Sequence, residues 1–182
     1  WAPYAPEGAD ANMLGEFVSS QIRGSLNWND IENFRKLWPR KMVLKGVMRT
    51  DDAIRAAEIG VDGLMVSNHG ARQLDRAPSP LDVLPSINAA VGDRMTLMLD
   101  GGVRRGSDVL IALCMGAKFI FLGRPTLYGV VAGGVAGASK AASILRNEID
   151  LVMAQIGVTS LDQLGPDFVH WDEDELRRNM PR

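Results

Sequence analysis

One cysteine, Cys114, stands in 182 residues, so no intrachain disulfide can form and a thiolate metal centre lacks its ligands. No metal site is expected. A basic excess is missing as well: 20 Lys and Arg face 22 Asp and Glu, a formal charge of −2. That balance argues against a nucleic-acid partner, because such domains cluster cations to neutralise phosphates. No apolar run approaches the roughly 20 residues that span a bilayer, and the opening WAPYAPEGAD has neither the basic nor the apolar region of a signal peptide. What is present, 46% hydrophobic and 23% charged residues, is the composition of a globular chain and not of a disordered one. Its fold must rest on a packed core.

Residues 12–38 read as helical, with Met13, Leu14, Phe17, Val18 and Ile22 at helical spacing. Asn29 or Asp30 would cap a second segment, IENFRKLW, that Pro39 stops. Four apolar runs follow, MVLKGV (42–47), GLMVS (63–67), MTLML (95–99) and FIFLG (119–123), each read as a parallel strand buried on both faces. Amphipathic helices alternate with them: DDAIRAAEIG, SPLDVLPSINAAVG and SDVLIALCMG. Gly60, Gly92 and Gly116 stand where helix ends favour a left-handed residue. A long final helix over about 138–157 would cover the last strand. GVVAGGVAG (129–137) reads as a connection, since it does not fit the spaced dinucleotide fingerprint. The charged tail, with His170 and WDEDE, reads as a surface arm.

Consecutive strand–loop–helix units predict an α/β fold, either a doubly wound sheet or a β/α barrel. Four units make half of an eight-stranded barrel, which typically takes about 250 residues. The chain is therefore expected to be a fragment or a processed piece.

In both folds ligands bind at the carboxyl ends of the strands, and here all four ends are polar. Lys45 lies in the first strand, where burial would demand an anionic partner: a carboxylate or a Schiff base. The second strand runs into Ser67-Asn68-His69-Gly70-Ala71-Arg72. Imidazole transfers protons near neutrality, and Arg72 in the same loop could hold a substrate carboxylate beside His69. The third strand ends in Asp100-Gly101-Gly102-Val103-Arg104-Arg105-Gly106. Glycines 101, 102 and 106 allow backbone N–H groups close to an anion, and Arg104 or Arg105 adds charge-assisted bonds to phosphate. Gly123-Arg124 repeats that chemistry after the fourth strand. Together the two match the phosphate site that β/α barrels place after their last strands. Cys114, in LIALCMG, reads as a small core residue.

SNHGARQLD (67–75), LDGGVRRGSDV (99–109) and LGRPTLYG (122–129) closely resemble the FMN-dependent 2-hydroxy acid oxidase and dehydrogenase family, in order and spacing as well as in residues. The similarity runs from about Phe17 to Phe168. It implies the C-terminal half of a (β/α)8 barrel, four β/α units plus a long final helix, over residues 1–168, with 169–182 as the tail. The resemblance implies FMN as cofactor and oxidation of an (S)-2-hydroxy acid to the 2-oxo acid, with either hydride or electron-pair transfer to the flavin. His69 would be the base and Arg72 the partner of the substrate carboxylate. Lys45 would lie against the N1 and O2 edge of the flavin and Ser67 would hydrogen-bond the isoalloxazine. Asp100 would bind the ribityl hydroxyls, while Gly101, Gly102, Val103, Arg104, Gly123 and Arg124 would hold the phosphate.

The missing N-terminal half of the barrel is the expected partner, together with a small-molecule 2-hydroxy acid and further copies in a homo-oligomer such as a tetramer. WPRKMVLKG and the tail are most like the mandelate dehydrogenase branch and suggest a bacterial protein, cytoplasmic or peripheral on the inner face of the cell membrane. Two competing readings are another FMN- or phosphate-binding barrel enzyme and a catalytically silent half barrel that serves as a binding module. HGARQLD speaks against the first, and retention of His69, Arg72 and Lys45 against the second.

Overall fold

The computed structural model describes residues 8–21, 24 and 26–170. The chain divides into two compact units, Trp1–Leu37 and Trp38–Arg182; the domain end expected at 168 falls inside the second, and the tail from 171 onward lies outside the described residues. In the first unit the expected helical stretch is two helices, α1 (Ala11–Gln21) and α2 (Trp28–Leu37). α2 begins earlier than Asn29 or Asp30 because Asn27 caps it. Its side chain accepts from the Asn29 N–H at 2.9 Å, and Asp30 accepts back from the Asn27 N–H at 2.9 Å, a reciprocal cap.

The second unit alternates β1 (Val43–Val47), α3 (Thr50–Ile59), β2 (Gly63–Ser67), α4 (Pro80–Val91), β3 (Thr96–Asp100), α5 (Gly106–Cys114), β4 (Phe119–Phe121) and α6 (Arg124–Gln155). All strand pairs are parallel, in the order β1-β2-β3-β4. A doubly wound sheet would reverse its order at a switch point. Sequential order, with each right-handed crossover returning a helix to the same side, is a segment of barrel wall.

Register shows which side that is. Leu64 pairs with Leu97 and Val66 with Leu99; all four are at most 1% exposed, as are Leu84, Ile87 and Val91 of α4 and Ala53 and Ala56 of α3. This is the helix-covered face and the core. The alternate positions form the other face: Lys45, Met65, Met98 and Phe119 in one row, Ser67, Asp100 and Phe121 in the next. On that face Phe119 is 58% exposed, and none of the fully buried helix residues of this unit pack there. Double-sided burial, expected for all four strands, therefore holds for β2 alone. The edge strands β1 and β4 have no buried residue, because each lacks a neighbour on one side.

Gly60 and Gly116 adopt the expected left-handed conformation, but Gly92 is right-handed (φ −64°). Its missing β-carbon instead leaves room for Asn88. The stretch 129–137, expected as a connection, is helical except at Gly133 and Gly134. There α6 folds back on itself, so that Gly129 and Gly137 meet backbone to backbone. Cys114 is buried, and burial pushes its thiol pKa up, as suits a packing residue.

Candidate active site

Lys45, Ser67 and Asp100 lie side by side across β1, β2 and β3. The Ser67 hydroxyl is 2% exposed and sits at the centre of the group. It donates to Asp100 Oδ2 at 2.7 Å and accepts from Lys45 Nζ at 3.0 Å and from the His69 N–H at 3.1 Å. A hydroxyl has one proton and two lone pairs, so all of its bonding capacity is used within the chain. Lys45 Nζ also pairs with Asp100 at 3.1 Å. The anion that Lys45 requires is thus the protein's own carboxylate; the lysine side chain is 45% exposed, not buried as its place in a strand suggests, because β1 is an edge. Burial pushes the Asp100 pKa up, but the Ser67 hydrogen bond, the bond and charge of Lys45, and the charge of His69 outweigh it and hold the carboxyl below its ordinary range.

Beyond Ser67 the backbone turns left-handed at three successive residues, His69 (φ 57°), Gly70 (φ 65°) and Ala71 (φ 60°). Non-glycine residues there each cost roughly 1–2 kcal/mol through the clash of Cβ with the following carbonyl, so contacts must hold the turn. Ser67 takes the His69 N–H, Arg124 donates to the Gly70 carbonyl at 3.0 Å, and the Asn68 side chain accepts from the Ala71 N–H at 3.2 Å. The imidazole itself carries no hydrogen bond to another described residue, and neither does the Arg72 guanidinium.

After β3, Gly101 (φ 114°) and Gly102 (φ 79°) both need the glycine backbone. Gly106 is not left for a ligand anion, because a carboxylate of the chain takes its N–H. Its N–H donates to Glu148 of α6 at 2.8 Å, and a β-carbon on it would lie 2.5 Å from the Ile149 N. Its role is close packing of α5 on α6. Arg105 is committed too, to Glu148 Oε1 at 2.8 Å, which leaves Arg104 as the arginine that faces the cleft. Asp108 accepts both the Arg104 and Arg105 N–H groups, at 2.8 and 2.9 Å, and so fixes the loop.

One cavity of about 390 Å³ at the carboxyl ends of the strands gathers Lys45, His69, Arg72, Asp100, Gly101, Gly102, Val103, Arg104, Gly123 and Arg124. Of the expected site residues only Ser67 stands behind its wall. Sequence reasoning missed the apolar lining from Phe121, Pro125 and Leu127, and it missed Asn68, Asp108 and Glu148. Asp108 in the first turn of α5 is a legible helix-start signal; Glu148, 42 residues from Gly106, leaves no local trace. Four cations, Lys45, Arg72, Arg104 and Arg124, in a mainly apolar cleft suit an elongated anionic ligand and a small carboxylate. Among the described residues no cluster suits a metal ion and no helix is long and apolar enough to cross a membrane.

Fold and cleft together define a segment of a β/α barrel with an anion-binding cleft at its strand ends, and comparison with known proteins gives the family. The family model of FMN-dependent dehydrogenases matches residues 2–171; the chain belongs to this family. It is 44% identical over 168 residues to an L-lactate oxidase from Nostoc sp., covering 92% of this chain and 45% of that protein. It is 47% identical over 156 residues to 2-hydroxyacid oxidase 1 of Mus musculus, covering 85% and 42%. Among solved structures, the monotopic membrane protein (S)-mandelate dehydrogenase superposes with a TM-score of 0.85 at 39% identity over 92% of this chain and 44% of that one. A mutant flavocytochrome b2 with benzoylformate superposes at 0.76 with 49% identity, covering 80% and 38%. The chain thus spans under half the length of the curated relatives named here. Other relatives come from plants, yeast and an amoeba, so likeness alone does not mark the chain as bacterial.

Proposed function

We propose that this chain supplies the FMN-binding, base-carrying half of a barrel that oxidises an (S)-2-hydroxy acid to the 2-oxo acid. The observation that carries this is the single cleft in which His69 and Arg72 face Lys45, Arg104 and Arg124. The residues present fit FMN: side-chain-free Gly101 and Gly102 with Arg104 and Arg124 suit its phosphate, Asp100 suits the ribityl hydroxyls, and Lys45 places a cation where a reduced ring would carry negative charge. When bound, FMN supplies a two-electron acceptor.

The chain's residues do the rest. Arg72 grips the substrate carboxylate in a two-pronged bond. His69, whose ring has no hydrogen-bond partner among the described residues, accepts the substrate proton. Asp100, held ionised, favours the imidazolium that results. Ser67 fixes the relation between Lys45, Asp100 and the start of the histidine turn, and any contact it makes to the isoalloxazine must draw on a bond it now gives to one of them.

The half barrel that completes the fold is the proposed partner, docking along the exposed edges of β1 and β4, whose unpaired backbone groups invite further strands. A mandelate-type substrate and a site peripheral at the membrane belong to the same reading, supported by likeness to the monotopic membrane protein (S)-mandelate dehydrogenase; a homo-oligomer such as a tetramer, a bacterial source and a cytoplasmic location are carried with it from the sequence resemblance alone.

Anaerobic visible spectroscopy of the protein with FMN and its barrel complement tests it. Flavin bands should bleach on addition of mandelate, lactate or glycolate, and His69→Asn should keep the bands and stop the bleaching. A protein that binds no FMN with both halves present, or a His69→Asn variant that bleaches at the original rate, overturns the proposal.

A further inference from the structure

We infer that Asn68 is the positioning residue for His69: its side-chain amide holds the left-handed turn on which the imidazole is mounted. The inference rests on the reading of His69 as base. Three successive left-handed residues, two of them with β-carbons, do not persist without restraint. Asn68 supplies that restraint at the turn's far end, where its Oδ1 accepts from the Ala71 N–H at 3.2 Å, beside its own backbone carbonyl at 3.1 Å.

The other end of the same amide is anchored. Nδ2 donates to the Pro78 carbonyl at 3.1 Å, just before Ser79 caps α4. A β-carbon on Gly101 would lie 3.2 Å from Oδ1, so the amide also sits against the glycine loop that follows β3. Only a planar group that accepts at one end and donates at the other can join these segments. Aspartate supplies the acceptor alone and alanine neither. Ser67 and Arg124 also hold the turn, but Ser67 ties it to Lys45 and Asp100, and Arg124 lines the cleft. Asn68 does not line it, so its loss removes no direct contact with ligand.

Asn68→Ala and Asn68→Asp in the FMN-bound holoenzyme test the inference, with hydrogen exchange of the amides at 69–71, FMN affinity and steady-state kinetics as readouts. For Asn68→Ala the Ala71 amide should exchange faster, FMN affinity should hold, and kcat should fall on the order of 100-fold, the effect of displacing a reacting group by about 1 Å. KM should change far less. Asn68→Asp should restore protection at Ala71 and recover part of kcat. Unchanged exchange and kcat in Asn68→Ala would overturn the inference, and so would loss of FMN binding and melting temperature in both variants, which marks a general folding role. His69→Asn is the control for the underlying reading: if it turns over at the original rate, that reading fails, while exchange at 69–71 still decides whether Asn68 holds the turn.

Discussion

Replacing Ser67 by alanine tests the polar seam most directly. The change removes one oxygen, 2% exposed, on which three hydrogen bonds end. Two of the partners are charged, and a bond to a charged group contributes about 1.5–3 kcal/mol against about 1 for a neutral one. Lys45 and Asp100 reach solvent, with side chains 45% and 23% exposed, and their direct contact at 3.1 Å survives, so rehydration returns a share. The expected loss at neutral pH is about 2–4 kcal/mol, measurable by urea unfolding. Its pH dependence carries the sharper test. The Asp100 pKa is lower folded than unfolded, so its stabilisation is present at neutral pH and is lost as pH falls through the folded value. Ser67 is the largest of the lowering influences; without it Asp100 titrates nearer its ordinary range. The variant should therefore lose less stability on acidification, and the gap to the parent should narrow towards acid. A gap that stays constant with pH, or a variant as stable as the parent at neutrality, would refute the reasoning.

Other perturbations reach different parts of the fold. Gly129→Ala would set a β-carbon 2.5 Å from the Gly137 carbonyl oxygen and force the arms of α6 apart, lowering stability by about 1–3 kcal/mol in thermal melts. Arg124→Met removes a cation from the cleft and the bond to the Gly70 carbonyl; spectrophotometric titration should show FMN affinity reduced about tenfold or more, at about 1.5–3 kcal/mol for a charge-assisted bond. Glu148→Ala frees the Gly106 N–H and Arg105 together and should cost about 1–3 kcal/mol in urea unfolding.

Legibility in the sequence followed the range of the interaction involved. The strands and most helix ends were readable because apolar runs, Ser79-Pro80 and the glycines at 60 and 116 act within a few residues. Readings failed where the deciding neighbour lies far along the chain. Gly106 reads as an anion loop until Glu148 is brought to it, Arg104 and Arg105 stay equivalent until the same carboxylate takes one of them, and Lys45 reads as buried until β1 is found to be an edge. Gly129 to Gly137 reads as loose connection because nothing local shows that two glycines will face each other across a fold-back.

By itself the sequence determined the α/β alternation, the inventory of chemistry at each strand end and the family, since these depend on residue type and spacing alone. Strand order, the side on which the helices lie and the pairing of each charge were decided only by the tertiary structure. The physical reason is reach. A helix cap acts over one turn, but a hydrogen bond such as Gly106 to Glu148 exists only after packing has brought the chain back on itself, and it is such bonds that separate the cations left for a ligand from those already spent within the fold.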